Sequence, residues 1–191
     1  MSEEQIPDVA MPTEPGALES ALRAVRASGR KILAPYVTGG YPGWQDAVRA
    51  AAAAGADAVE LGIPFSDPVM DGPVIQKASQ AALDAGTTPE SVLAEVPGLD
   101  VGIPLVVMTY YNLVHHAGHR RFASRLAEAG VAGCILPDLP LEESTPWTRA
   151  ADWAGVETVL LAAPTAPDER LPRIAARARG FVYSVGLLGV T

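Results

Sequence analysis

The stretch Ala51-Ala52-Ala53-Ala54-Gly55-Ala56-Asp57-Ala58-Val59-Glu60-Leu61 joins an Ala-rich segment to a short apolar run through a single glycine. The same join recurs at Gly130, Gly155 and Gly180, at a spacing of 25 residues, ahead of Gly133-Cys134-Ile135-Leu136, Thr158-Val159-Leu160-Leu161 and Phe181-Val182-Tyr183. Glycine just past a helix end enters the left-handed conformation at low cost. Apolar runs that are continuous rather than alternating belong to strands covered on both faces.

The segments between these runs have the helical period. Leu171, Ile174, Ala175 and Ala178 fall at i, i+3, i+4 and i+7, as do Leu18, Ala21, Leu22 and Val25; Phe122, Leu126 and Ala129 are similarly spaced. Ile32–Val37 and Pro104–Thr109 read as two further strands. The expectation is one opening helix and six strands, five of them followed by helices, paired in parallel through right-handed crossovers. An open doubly wound sheet and a closed (β/α)8 barrel both fit. No Gly-x-Gly-x-x-Gly follows the first strand, and Pro, Gly and polar residues gather after strand ends, which favours the barrel. The expected fold is therefore α/β, a (β/α)8 TIM barrel of which six strands are present. Residues 16–191 form its single incomplete domain, and residues 1–15, polar, acidic and Pro-containing, read as a flexible tail.

The chain has 191 residues, 49% apolar and 19% charged, as in a globular protein rather than a disordered one. A net charge of −8 argues against nucleic acid, whose phosphates require clustered Lys and Arg. No apolar run is long enough for a bilayer. A single cysteine, Cys134, suits a reducing cytoplasm, and inside an apolar strand it reads as inert packing.

Chemistry concentrates in Val59-Glu60-Leu61-Gly62-Ile63-Pro64-Phe65-Ser66-Asp67-Pro68-Val69-Met70-Asp71-Gly72-Pro73. Glu60 interrupts a buried strand, where an unpaired carboxylate is costly. Asp71 follows in a Pro- and Gly-rich loop before a helical pattern. Two acids in different surroundings can hold different protonation states at one pH, as acid/base work requires. The plain alternatives are an Arg-paired carboxylate for Glu60 and turn or helix-start chemistry for Asp71.

Together with Pro35-Tyr36-Val37-Thr38-Gly39-Gly40-Tyr41-Pro42, Met108-Thr109-Tyr110-Tyr111-Asn112, Pro137-Asp138-Leu139-Pro140-Leu141-Glu142-Glu143 and Gly189-Val190-Thr191, this run resembles the tryptophan synthase alpha subunit, in order and with matching spacing from about residue 16 onward. The resemblance implies a lyase that cleaves indole-3-glycerol phosphate to indole and glyceraldehyde 3-phosphate in tryptophan biosynthesis. It also implies no cofactor or metal in this chain, and a partner, the pyridoxal-phosphate-bearing (PLP) beta subunit, in an alpha2beta2 heterotetramer.

Carried over residue by residue, the resemblance makes Glu60 the proton-transfer group, protonating indole C3 and taking the glycerol hydroxyl proton. Asp71 becomes an ionised partner of the indole N–H. Tyr36, Met108, Tyr110, Leu136, Leu161 and Tyr183 would shape an apolar slot for the indole ring, with ordinary barrel packing as the alternative for each. Tyr36 stands where phenylalanine is also found. Thr191 matches a residue that closes over substrate and contacts the second acid, and Gly186-Leu187-Leu188 beside it lacks a basic residue that some members carry. Asp67 reads as a loop or capping residue, Asp138 as structural, Asn112 as loop-fixing. His115, His116 and His119 have no carboxylate or cysteine at ligand spacing, so no metal site is expected.

The family holds the substrate phosphate in loops after strands seven and eight. With six strands the expectation is that these 191 residues are the front of a longer polypeptide. A non-catalytic alpha-like subunit that regulates a PLP-dependent beta subunit is the alternative function; another phosphate-handling barrel lyase or isomerase is a weaker one.

Overall fold

The computed structural model describes residues 10–186. Helices and strands alternate as α1 (Ala17–Ala27), β1 (Tyr36–Thr38), α2 (Trp44–Ala53), β2 (Val59–Gly62), α3 (Pro73–Asp84), α4 (Pro89–Glu95), β3 (Leu105–Met108), α5 (Tyr111–Ala117), α6 (His119–Glu128), β4 (Gly133–Ile135), α7 (Thr145–Ala154), β5 (Glu157–Ala162), α8 (Arg170–Arg177) and β6 (Val182–Ser184). All pairings are parallel and each strand neighbours the next in sequence, from β1 to β6. This is the expected α/β architecture, with the barrel left unclosed between β1 and β6.

Strand β1 is shorter than the apolar stretch Ile32–Val37. Pro35 has no N–H and interrupts a regular ladder there. Extended pairing nevertheless begins earlier, since Leu33 and Pro35 accept through their carbonyls from the N–H groups of Asp57 and Glu60 at 2.8 and 2.9 Å.

Side-chain alternation splits the core into two layers. Val59, Leu61, Val107, Cys134 and Leu136 face the surrounding helices. Ala58, Val106, Ile135 and Val159 face inward, with Met108, Leu161 and Tyr183 packed against them. Burial pushes the Cys134 thiol up, in keeping with a packing role.

The amino-terminal mouth of the strands is plugged by α1, whose Leu18 and Leu22 belong to the inner layer. Glu157, the first residue of β5 and 2% exposed, accepts from the Leu18 N–H at 2.7 Å and the Glu19 N–H at 3.2 Å, so its carboxylate terminates α1. Of the stretch read as a tail, Pro12 and Glu14 accept through their carbonyls from Arg179. Gly55, Gly130 and Gly155 follow their helices in the left-handed conformation. Gly180 stands apart: α8 ends at Arg177, and a Cβ at position 180 would lie 2.5 Å from Leu18 Cδ2, so this glycine makes room for the plug. With one mouth filled, the carboxyl ends of the strands are left for a site. No helix among the described residues is long and apolar enough to cross a membrane.

Candidate active site

Glu60 lies in β2 in register with Tyr36 of β1 and Val106 of β3, which sets all three on the inner face. It is 8% exposed, and no cation among the described residues pairs with its carboxylate. Burial alone raises its pKa to about 6. The Arg-paired alternative is thereby removed. A carboxyl poised there populates both protonation states near neutrality, which suits a group that must donate and accept.

Asp71 ends the loop that follows β2. Helix α3 begins with Gly72 as its N-cap residue and Pro73 in its first turn, and no side chain caps it. The Asp71 carboxylate therefore does not serve as a helix start. It accepts from the Tyr110 hydroxyl at 3.2 Å, and its pKa is raised by burial against the lowering effect of that bond.

Tyr36 joins the two acids. Burial is the main cause that lifts its phenol to about 12; the Thr38 hydroxyl opposes the shift, and the charges of Asp71 and Glu60, with Tyr110, add to it. Tyr183 is raised by burial and then by Glu60. Tyr110 is likewise pushed up to about 12 by burial, with Asp71 beside it. Tyr36 is in register with Glu60 and lies over Gly62, the Tyr110 hydroxyl bonds Asp71, and Tyr183 packs against the inner layer, which gathers these groups on the inner side of the sheet toward the loop after β2. Met108 and Leu161 lie on the same inner face.

Leu136 does not join them. It packs in the outer layer against the helices, and Ile135 takes the inner position, in register with Met108 and Val159. Phe65 also escaped the sequence reading; it stacks on Tyr110 with ring centroids 5.0 Å apart. The signal for Ile135 was the period of two counted from Glu60 and Met108. Thr191 lies outside the described residues. Asp138 holds α5 in place, accepting from the Tyr111 N–H at 2.9 Å. Asp67 accepts from the Ser66 hydroxyl within the loop, and Asn112 is exposed in the first turn of α5. His119 meets the Tyr111 hydroxyl at 2.9 Å, and among the described residues no group of three His, Cys, Asp or Glu is arranged to hold a metal.

An apolar cavity of about 540 Å³ adjoins this space, lined by Val69, Met70, Asp138, Leu161, Arg170 and Val185 among others. Neither Glu60 nor Asp71 lines it. The chemistry is located by the carboxylates, and the cavity is a neighbour sharing Leu161.

The family profile described as "Tryptophan synthase alpha chain" matches residues 22–191. The chain belongs to the tryptophan synthase alpha chain family. It is 46% identical over 178 residues to the alpha chain of Thermobifida fusca, covering 91% of this chain and 66% of that one, and 47% identical over 179 residues to that of Streptomyces coelicolor, with the same coverage. The chain thus spans about two thirds of the length of the curated relatives it matches. Among solved structures, tryptophan synthase from Mycobacterium tuberculosis aligns with a TM-score of 0.88 at 38% identity, over 93% of this chain and 71% of that one. Tryptophan synthase subunit alpha from Legionella pneumophila aligns at 0.85 and 35%, over 90% and 68%. The inner layer with Glu60, Tyr36 and Met108 falls within the residues that the family profile covers.

Proposed function

We propose that this chain carries the reacting centre of a lyase that cleaves indole-3-glycerol phosphate into indole and glyceraldehyde 3-phosphate. One geometric relation carries the reading: Tyr36 lies in register with Glu60 and over Gly62, the end of β2 from which the loop to Asp71 departs, so the two acids flank one aromatic ring. Protonated Glu60 gives its proton to indole C3, which turns the ring into an electron sink. The Glu60 carboxylate then removes the proton of the glycerol hydroxyl. The hydroxyl carbon becomes an aldehyde as the carbon–carbon bond breaks, and its electron pair restores the indole. Ionised Asp71 faces the ring N–H and stabilises the positive charge that develops there. Tyr36, Met108, Tyr110, Ile135, Leu161 and Tyr183 make a flat apolar lining suited to an indole ring. In this role the chain works with a PLP-bearing beta subunit, which consumes the indole in a reducing, cytoplasmic setting.

The test is indole release from indole-3-glycerol phosphate, with and without added beta subunit. Glu60→Gln is expected to lower turnover at least about a hundredfold with the fold intact. Asp71→Asn is expected to be severe as well. Near-normal turnover of Glu60→Gln removes Glu60 from the mechanism. A folded chain that forms no indole yet alters beta-subunit activity would assign it instead as a regulatory subunit.

A further inference from the structure

The loop that carries Asp71 makes little contact of its own: Val69 is 71% exposed and Met70 45%. Among the described residues, the side-chain hydrogen bonds that reach Met70 and the Asp71 carboxylate come from Tyr110. Tyr110, just beyond β3 and 5% exposed, stacks on Phe65 with an interplanar angle of 27°. Its hydroxyl accepts from the Met70 N–H at 2.9 Å and donates to Asp71 Oδ2 at 3.2 Å. A phenol has one proton to give and lone pairs to receive. One oxygen therefore bonds two consecutive loop residues in opposite senses.

The geometry points to Tyr110 as a positioning residue, whose hydroxyl clasps the loop after β2 and aims the Asp71 carboxylate into the cleft. The inference rests on the reading of Asp71 as an ionised partner of the substrate and adds how that group is placed and kept charged. The hydroxyl bonds the charged form and so opposes the burial that raises the Asp71 pKa. The groups that face Asp71 are Tyr110 from the end of β3 and Tyr36 from β1, with Glu60 across the cleft on β2. Gln76 holds the Asp71 carbonyl at 2.8 Å and leaves the carboxylate to Tyr110.

Ring packing alone would survive Tyr110→Phe, whereas the clasp would not. In the full chain, hydrogen exchange at the Met70 amide and the Asp71 carboxyl titration, both followed by NMR, separate the two. Tyr110→Phe is expected to speed Met70 exchange about fivefold or more, the loss of one hydrogen bond, and to move the Asp71 titration to higher pH. Asp71→Asn keeps an acceptor for the phenol, so Met70 protection is expected to persist in it. Unchanged exchange and titration in Tyr110→Phe, or lost Met70 protection in Asp71→Asn, overturns the clasp. In turnover, the acid limb of the kcat profile of Tyr110→Phe is expected to shift to higher pH with KM little altered; an unmoved limb counts against the clasp. If the complete wild-type protein releases no indole even with beta subunit added, the lyase reading falls, and the two NMR readouts still decide the role of Tyr110.

Discussion

The phenol of Tyr36 lies directly over Gly62, so that a Cβ at position 62 would come 1.9 Å from its hydroxyl and 2.3 Å from its ring carbon Cζ. Glycine at the end of β2 is what lets an aromatic ring occupy the row between the two acids. Gly62→Ala is therefore expected to drive Tyr36 off the inner face at a cost of roughly 1–3 kcal/mol, the usual penalty of overpacking. Tyr36→Phe should not relieve it, because the ring carbon collides as well, whereas Tyr36→Ala should. Urea unfolding of the single and double variants checks this through their coupling. Simple additivity of Gly62→Ala and Tyr36→Ala would mean that the two positions do not compete for space.

Glu60 holds a proton in the folded state over a range where the unfolded chain has released it, since its pKa rises from the ordinary 4.5 to about 6. Stability from this group is fully present below about pH 4.5, is lost as pH rises through about 6, and is then lower by about 2 kcal/mol. Glu60→Gln removes the ionisation. The variant is expected to be more stable than the parent by about that amount at pH 7.5 and equal to it near pH 4, as measured by urea unfolding at both values. A variant no more stable at pH 7.5 would show that burial is not what raises this carboxyl.

The barrel-type order of strands was legible because its signal is local. Gly55, Gly130 and Gly155 punctuate helix ends, and each apolar run behind them became a strand. Glu60 was legible because a charge in such a run has few bland explanations. Leu136 was misplaced for the opposite reason: in Cys134-Ile135-Leu136 every residue is apolar, so composition does not tell the inner face from the outer, and only register with Met108 does. Ile32–Val37 was too long because a proline can extend the chain without entering a regular ladder. The partners of Glu157 were out of reach altogether, since its carboxylate bonds backbone N–H groups 139 and 138 residues earlier in the chain.

That long-range bond yields a stability prediction far from the cleft. Leu18 and Glu19 stand in the first turn of α1, with no helical carbonyl four residues back for their N–H groups, and the buried Glu157 carboxylate supplies the acceptor. Glu157→Ala leaves these donors unpaired under the sheet, with an expected cost of roughly 2–3 kcal/mol. Glu157→Gln, which keeps one acceptor oxygen, should lose less. Amide exchange across α1 locates the effect: protection is expected to fall in Ala17–Ala27 more than in α6 or α7. Uniform loss throughout the chain would mean that Glu157 does not act through this helix.

The exchange of Leu136 for Ile135 in the lining can be tested by a pair of matched truncations. Ile135 is fully buried on the inner face, in register with Met108 and Val159, and Leu136 is 4% exposed in the outer layer. Either change to alanine removes buried methyl groups, so each is expected to cost roughly 2–5 kcal/mol in urea unfolding. Only Ile135→Ala widens the space that the indole ring would fill. Its KM for indole-3-glycerol phosphate is expected to rise several-fold, while Leu136→Ala keeps KM near that of the parent at a temperature where both stay folded. The discriminating quantity is the ratio of the two KM values, because the stability losses are alike. A larger KM effect from Leu136→Ala would mean that the ring approaches from the helix side of the sheet, and the cleft between Glu60 and Asp71 would then not be where substrate sits.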